Sequence, residues 1–328
     1  MTKPMAKRTK IGIIGCGWIA DKMAITLQGT PQAEAYAIAS RDINKAKSLA
    51  EQYNFQKAYG SYEELLADDN VELVYIATPH SHHYEHARMA LLAGKHVLCE
   101  TPFVLDGRQA EELYDLAKVH QVVLMEANKT AHCPAVNHLM VMIKSGVIGT
   151  VVDIEASLSK LLPDKSLREF DPAQAGGSMF ELGSYPLLPI IKLLGTDFRH
   201  VSFYSLMENG VDIYTKGFMH YPKAVCSFKL GLGVKTEGNL IISGTKGYAY
   251  VEAPWWKTDF FELRYEDQNK NKKFFYKWDG EGLRYEIQEW MSCIINKRPS
   301  SSRLLPKESI AMARVMQQFT ERTNMMEI

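Results

Sequence analysis

"KIGIIGCGWIA" (residues 10–20) decides how the rest of the chain is read. The apolar run "KIGIIG" reads as a buried strand, and the stretch 18–29 that follows it reads as a helix. Between them Gly15, Gly17 and Ala20 stand in a G-x-G-x-x-A frame. Taken alone such a frame is a weak signal; between a strand and a helix it acquires a physical reason. Gly15 permits the tight turn, Gly17 lets the backbone approach a pyrophosphate, and Ala20 lets helix and strand pack closely. The opening residues of the helix, Trp18 and Ile19, then offer backbone N–H groups and a partial positive charge to phosphates. The stretch predicts a bound dinucleotide.

Outward from this turn, strand and helix signals alternate. "AEAYAIAS" is followed by the charged helix "INKAKSLAEQY", and a capping box from Ser61 to Glu64 opens the short helix "YEELLAD". "VELVYIAT" is a buried strand, and the helix through "HYEHARMALLAG" stops at Gly94. "HVLCE" is another strand, 106–120 another helix, and "VVLMEA" a sixth strand. Apolar strands separated by helices of this length imply a parallel sheet covered on both faces, an α/β doubly wound domain over residues 1–127. After about residue 150 the pattern changes. "TVVDIEASLS", "AVCSFKLGL" and "GNLIISGTKGYAYVEA" alternate apolar and polar side chains, the last with the turn "GTKG" between its arms. "LRYEIQEWMSCII" and "PKESIAMARVMQQFTERT" read as helices, so residues 128–328 form a second, α+β domain with a mostly antiparallel sheet. No Pro/Gly-rich linker divides the halves, which predicts a rigid junction around a cleft.

Composition narrows the class of function. The chain has 328 residues, 46% hydrophobic and 23% charged, with 38 basic residues balancing 38 acidic ones. Zero net charge gives no electrostatic reason to expect nucleic acid or an anionic membrane as partner. No apolar run approaches a membrane span, and the start reads as free of a signal peptide. Five scattered cysteines without a CxxC pair argue for reduced thiols and against a zinc site or disulfide framework. The expectation is a cytoplasmic, two-domain protein.

The second strand chooses the cofactor. An NAD site usually ends this strand with an acidic residue on the ribose 2′-hydroxyl. Here "IASRD" puts Ser40 and Arg41 at that end, with Lys45 one turn into the next helix. Ser40 can donate a hydrogen bond and Arg41 can clamp or stack, which suits a 2′-phosphate. Asp42 lies past the usual position and is expected to cap the following helix. NADP is expected rather than NAD.

Together these residues resemble the Gfo/Idh/MocA oxidoreductases, and within them the branch of dihydrodiol dehydrogenase and glucose–fructose oxidoreductase. The similarity runs through the glycine loop, "IATPHSHHYEHARMALLAGKHVLCETPF", "LMEANKTAHCPA", "SGVIGTV", "GGSMFELGSYPLL", "GTKG" and "LRYEIQEWMSCI…LLPKES". It implies an N-terminal Rossmann domain and a C-terminal domain whose open antiparallel sheet often forms the subunit contact, hence a homodimer or homotetramer. It places Thr78, Pro79, His83, Glu100 and Thr101 along the cofactor and His80 in the substrate pocket. The family carries E-K-P where this chain has Glu100-Thr101-Pro102, with the lysine catalytic and the proline typically cis. The motif D-x-G-x-H/Y is met by Glu181-Leu182-Gly183-Ser184-Tyr185.

The threonine raises the central question. Oxidising an alcohol needs hydride transfer and removal of the hydroxyl proton by a group of usable pKa. A threonine hydroxyl is no such group near neutral pH. Tyr185 is the alternative, since a cation beside a phenol favours its ionised form. Lys129, in "MEANK" after the sixth strand, is expected to supply that cation from the strand next to the one that ends at Thr101. The reading is therefore Tyr185 as proton-transfer group, held by Glu181, with Lys129 replacing the lost lysine. His80, His82 and His83 lack further ligands nearby, so no metal is expected. Trp255 and Trp256 are read as a flat wall for a sugar or aromatic substrate, or as core. The function expected is hydride transfer between NADP and a secondary alcohol or carbonyl of a sugar, polyol or cyclic diol. The alternative is a nucleotide- or sugar-sensing protein of the same fold.

Overall fold

In a computed structural model, which describes residues 8–278 and 280–328, the chain forms two units. The first takes the described residues through Phe103, then Glu111–Ala127 and Leu283–Ser301. Its elements begin with β1 (Thr9–Ile14), α1 (Trp18–Gln28), β2 (Ala33–Ala39), α2 (Ile43–Tyr53), β3 (Lys57–Tyr59) and α3 (Tyr62–Leu66). They continue with β4 (Leu73–Ile76), α4 (His83–Leu92), β5 (His96–Glu100), α5 (Gly107–Val119) and β6 (Leu124–Ala127). The strands pair in parallel in the order β3-β2-β1-β4-β5-β6, as the alternating pattern predicts. β4 and β6 are buried along their whole length, which is why they read as unbroken apolar runs. Chain order reverses between β1 and β4, the switch point at which a doubly wound sheet opens a crevice at its carboxyl ends. β3, three residues long, is too short for periodicity to mark.

The second unit comprises Val104–Ala110, Asn128–Gly282 and Ser302–Ile328. It opens with α6 (Lys129–His132), α7 (Pro134–Lys144), β7 (Val151–Ser159), α8 (Ser178–Leu182) and α9 (Ser184–Leu194). β8 (His200–Glu208), β9 (Val211–Tyr221), β10 (Ala224–Gly231), β11 (Leu240–Gly244), β12 (Tyr248–Val251), β13 (Phe260–Arg264) and β14 (Lys272–Phe275) follow. The chain ends with α10 (Leu283–Ile295), α11 (Pro306–Thr320) and β15 (Met325–Glu327). The sheet order is β14-β13-β12-β11-β7-β10-β9-β8-β15, antiparallel except where β10 meets β7 and β15 meets β8. The "GTKG" turn closes β11 onto β12 through Gly244 N–H donating to Gly247 O at 2.9 Å. One sheet face packs on the helical layer; on the other Val225, Tyr204, Leu206 and Tyr248 keep more than a third of their surface.

Two stretches depart from a single cut at 127/128. Residues 104–110 belong with the second unit, and α10 with the first. Helical periodicity shows that α10 buries a stripe, but not against what. Its Leu283, Ile287 and Trp290 join the apolar cluster that holds Met23 and Leu27 of α1.

Candidate active site

The glycine loop fits a dinucleotide. Gly15 has φ +109°, and a Cβ there would stand 2.5 Å from Ala77 O, so only glycine closes the turn onto β4. A Cβ on Gly17 would meet nothing within 4 Å: it would project into open space that a pyrophosphate can use. Gly17 is also the N-cap of α1 and makes no side-chain cap, which leaves the opening amides to a ligand. Cys16 between the glycines is raised to about 11 by burial, against the hydrogen bond from Ser40, so its thiol stays protonated. Asp42 caps α2, accepting from Asn44 N at 3.0 Å, and its own N–H donates to Ser40 Oγ at 3.2 Å. The carboxylate is thereby committed to the helix start. Arg41 and Lys45 are exposed beside it.

At the ends of β4 and β5 the polar groups are tied to one another. His83 is fully buried, with Nδ1 2.8 Å from Pro102 O and Nε2 2.8 Å from Thr78 O. Burial, then His80, push its pKa down to about 3 against the pull of those carbonyls. The ring fastens the loop after β4 to the Thr101-Pro102 peptide, which is cis. His80 packs edge-on to it at 5.4 Å. The Tyr75 hydroxyl donates to Glu100, whose other oxygen accepts from Thr101 N at 3.2 Å. The Thr101 hydroxyl donates to Glu126 Oε1 at 2.8 Å, both side chains being buried. Since that proton is directed at a carboxylate, the lone pairs of Thr101 remain for accepting. Glu126 was not marked in the sequence, although an acidic residue inside the apolar "VVLMEA" strand is the signal that would have marked it.

In the second unit, Lys129 begins α6 and is only 8% exposed, which separates it from a solvated loop lysine. Its ammonium lies 3.8 Å from an oxygen of Glu281, and the same oxygen takes Lys257 Nζ at 2.6 Å. Two bonds from flanking residues place this segment. Asn128 Nδ2 donates to Ser184 O at 3.4 Å, so the residues before Lys129 and before Tyr185 touch. Thr130 Oγ1 donates to Trp256 O at 2.8 Å, drawing in the Trp256–Lys257 turn. Tyr185, half-buried near the start of α9, packs against the apolar core of the unit. Glu181 on α8 is gripped by the Arg168 guanidinium at 2.9 and 3.2 Å, a two-toothed pair. Trp255 is wholly buried, its indole N–H donating to Ser157 O at 3.0 Å; Trp256 alone of the two keeps exposed surface. Arg168 and Glu281 come from irregular segments without periodicity, and no sequence signal pointed to them.

Two family models match the chain: an oxidoreductase family model with an NAD-binding Rossmann fold over residues 9–128, and a GFO/IDH/MocA C-terminal domain over residues 136–250. Trans-1,2-dihydrobenzene-1,2-diol dehydrogenase of Oryctolagus cuniculus is 32% identical over 318 residues, covering 93% of this chain and 96% of that one. The human enzyme of the same name is 31% identical over 327 residues, covering 94% of each chain. Among solved structures, KijD10, a 3-ketoreductase from Actinomadura kijaniata in complex with NADP and TDP-benzene, superposes with a TM-score of 0.85. Its identity is 23%, with 98% of this chain and 99% of that chain covered. Levoglucosan dehydrogenase in complex with NADH gives 0.86 at 20% identity, covering 96% of each chain. Taken with the six-stranded parallel sheet and its glycine turn, these matches show that the chain belongs to the GFO/IDH/MocA oxidoreductase family.

Proposed function

We propose that the protein transfers hydride between NADP and a secondary alcohol or its carbonyl in a sugar, polyol or cyclic diol. The observation that supports this reading is the Asn128–Ser184 hydrogen bond, which joins the residue before the buried Lys129 to the residue before Tyr185. Glu281 holds the Lys129 ammonium by charge, and Arg168 holds Glu181.

The nicotinamide, when bound, supplies the hydride acceptor or donor. The chain handles the proton. As an alcohol is oxidised, Tyr185 takes the hydroxyl proton while the carbinol hydrogen leaves with its electron pair; in reduction Tyr185 returns a proton to the carbonyl oxygen. Lys129 stabilises the phenolate by its charge, the task of the lysine whose place Thr101 occupies. Thr101 cannot titrate in this range; its hydroxyl, directed at Glu126, serves as an acceptor toward a bound group. The names of the relatives support a diol or sugar as substrate.

Arg41 just after β2 and Lys45 in the first turn of α2, with Asp42 turned to its helix, support NADP over NAD. The partly exposed sheet face with Val225, Tyr204, Leu206 and Tyr248 supports a homodimer or homotetramer through the C-terminal sheet. Five free thiols support a reducing, cytoplasmic setting, and among the described residues no helix is long and apolar enough to cross a membrane. The test is NADPH absorbance against a panel of aldoses, inositols and diketones, with Lys129→Met beside the parent. Turnover lost with NADPH affinity kept supports the reading; full activity in Lys129→Met sinks it.

A further inference from the structure

Thr101 directly follows β5 at the carboxyl ends of the parallel strands, where a doubly wound sheet binds its ligands. A threonine brings two donors, its backbone N–H and its hydroxyl, and the fold directs both to carboxylates. The N–H donates to Glu100 Oε2 at 3.2 Å, and Glu100 is fixed in turn by the Tyr75 hydroxyl, which donates to its other oxygen. The Thr101 hydroxyl donates to Glu126 Oε1 at 2.8 Å. β5 and β6 pair with Cys99 opposite Glu126 and Glu100 opposite Ala127, so strand register sets that carboxylate beside Thr101. Pro102, next in the chain, has no N–H to offer, and its carbonyl oxygen lies 2.8 Å from His83 Nδ1. What Thr101 keeps for a ligand is acceptor capacity, the lone pairs of its Oγ. Thr101 is 8% exposed and Glu126 only 2%, so a ligand touches the hydroxyl and the carboxylate acts from behind it. An ammonium group in this place would present the reverse, three donors and no acceptor.

We propose that Thr101, oriented by Glu126, is a specificity-determining residue that accepts a hydrogen bond from a second, non-reacting hydroxyl of the substrate. This rests on the reading above, in which the proton of the reacting hydroxyl passes to Tyr185. The donor left for Thr101 is then the hydroxyl on the neighbouring carbon, so the site tells a vicinal diol from an alcohol that lacks that second O–H. Glu126 is a positioning residue: it touches no substrate and acts by keeping the Thr101 proton turned away from it. A substrate that presents only an acceptor sets two oxygens against each other with no proton between them.

The experiment follows NADP⁺ reduction by absorbance, in the full chain, with trans-cyclohexane-1,2-diol and with its monomethyl ether. The ether keeps the reacting hydroxyl and both oxygens and lacks only the second donor. The parent, Thr101→Val and Glu126→Leu are compared by the ratio of kcat/KM for diol over ether, which a general loss of folded protein does not move. The parent should favour the diol about ten- to a hundredfold, because the ether leaves a buried acceptor unpaired. Thr101→Val keeps the shape and removes the acceptor, and should bring the ratio to within about threefold of one. Glu126→Leu frees the Thr101 proton to turn toward the ether oxygen, and should lower the ratio about fivefold or more. If that variant does not fold, Thr101→Val decides alone. A parent ratio near one, or a high ratio that Thr101→Val leaves standing, overturns the inference and leaves the hydride-transfer reading intact. So does a Thr101→Val variant that loses NADPH affinity with the ratio unchanged, since the donor would then be on the cofactor. A ratio lowered by Thr101→Val but unmoved by a folded Glu126→Leu overturns the role of Glu126. If the parent oxidises neither probe, the cyclic-diol reading falls and this inference with it.

Discussion

At the nucleotide end, a cradle is made by consecutive residues: Gly15 turns the chain, Gly17 leaves open space and Trp18 begins the helix. Around Lys129 the charged partners come from elsewhere in the chain: Glu281 before α10, which also takes Lys257 after β12, while the neighbouring Asn128 reaches Ser184 at the start of α9. A local cradle depends on backbone conformation, so one glycine can be tested alone. An assembled cluster depends on tertiary packing, so its members are expected to fail together. The difference teaches where function is robust: the nucleotide site should survive damage to the second unit's polar cluster, and the reverse.

The largest effect is expected at the assembled end. Lys129→Met should lower turnover by about a thousandfold, roughly 4 kcal/mol in the barrier, with NADPH affinity unchanged by fluorescence titration. A variant that loses both together would erase the contrast. Next comes Lys192, which pairs with Glu308 at 2.9 Å between α9 and α11, both side chains under a tenth exposed. Lys192→Met takes the cation from a buried carboxylate, which still accepts from Leu305 N at 2.9 Å, and should cost about 3 kcal/mol in urea unfolding. Lys192 lies on α9 about two turns beyond Tyr185, and its loss should lower activity only through the folded fraction.

Asp212 of β9 gives a test by pH. It accepts from Ser178 Oγ, from Met179 N at 2.9 Å and from Thr215 Oγ1 at 2.6 Å, fixing the start of α8. Burial outweighs these bonds and raises its pKa from 3.8 to about 6. The folded state therefore binds the proton more tightly than the unfolded one. Its contribution to stability is present below about pH 4 and is lost as pH rises through 6, about 3 kcal/mol in all. Asp212→Asn should flatten that window in denaturant unfolding at pH 4 and pH 7; an unchanged pH dependence would exclude Asp212 as its source. Gly17→Val should weaken NADPH about a hundredfold, near 2.7 kcal/mol, with the melting temperature of the free protein unchanged, because the added side chain enters open space. A fall in melting temperature as well would show that the loop is structural first.

Much of the first unit was legible because its signals are local. The frame Gly15, Gly17, Ala20, the capping box at Ser61 and the buried runs of β4 and β6 each carry their reason within a few residues. The candidate site in the second unit was legible only as residues. Lys129, Tyr185 and Glu181 stood out by position, but the partner of Glu181 is Arg168, from a loop with no pattern to read. Trp255 and Trp256 could not be told apart in sequence; the structure buries the first and leaves surface on the second. The first unit's Glu126 passed unnoticed because a strand interior is judged by its apolar majority, and the hydroxyl of Thr101 that meets it comes from the neighbouring strand.

By itself the sequence determined the elements, their alternation and the phosphate-binding turn, because periodicity and glycine conformation are properties of adjacent residues. Only the tertiary structure decided which charge meets which: that Lys129 answers to Glu281, that Glu181 answers to Arg168, and that α10 belongs with the first unit's core. Ion pairs and packing faces join residues far apart in the chain, and no local pattern encodes the partner.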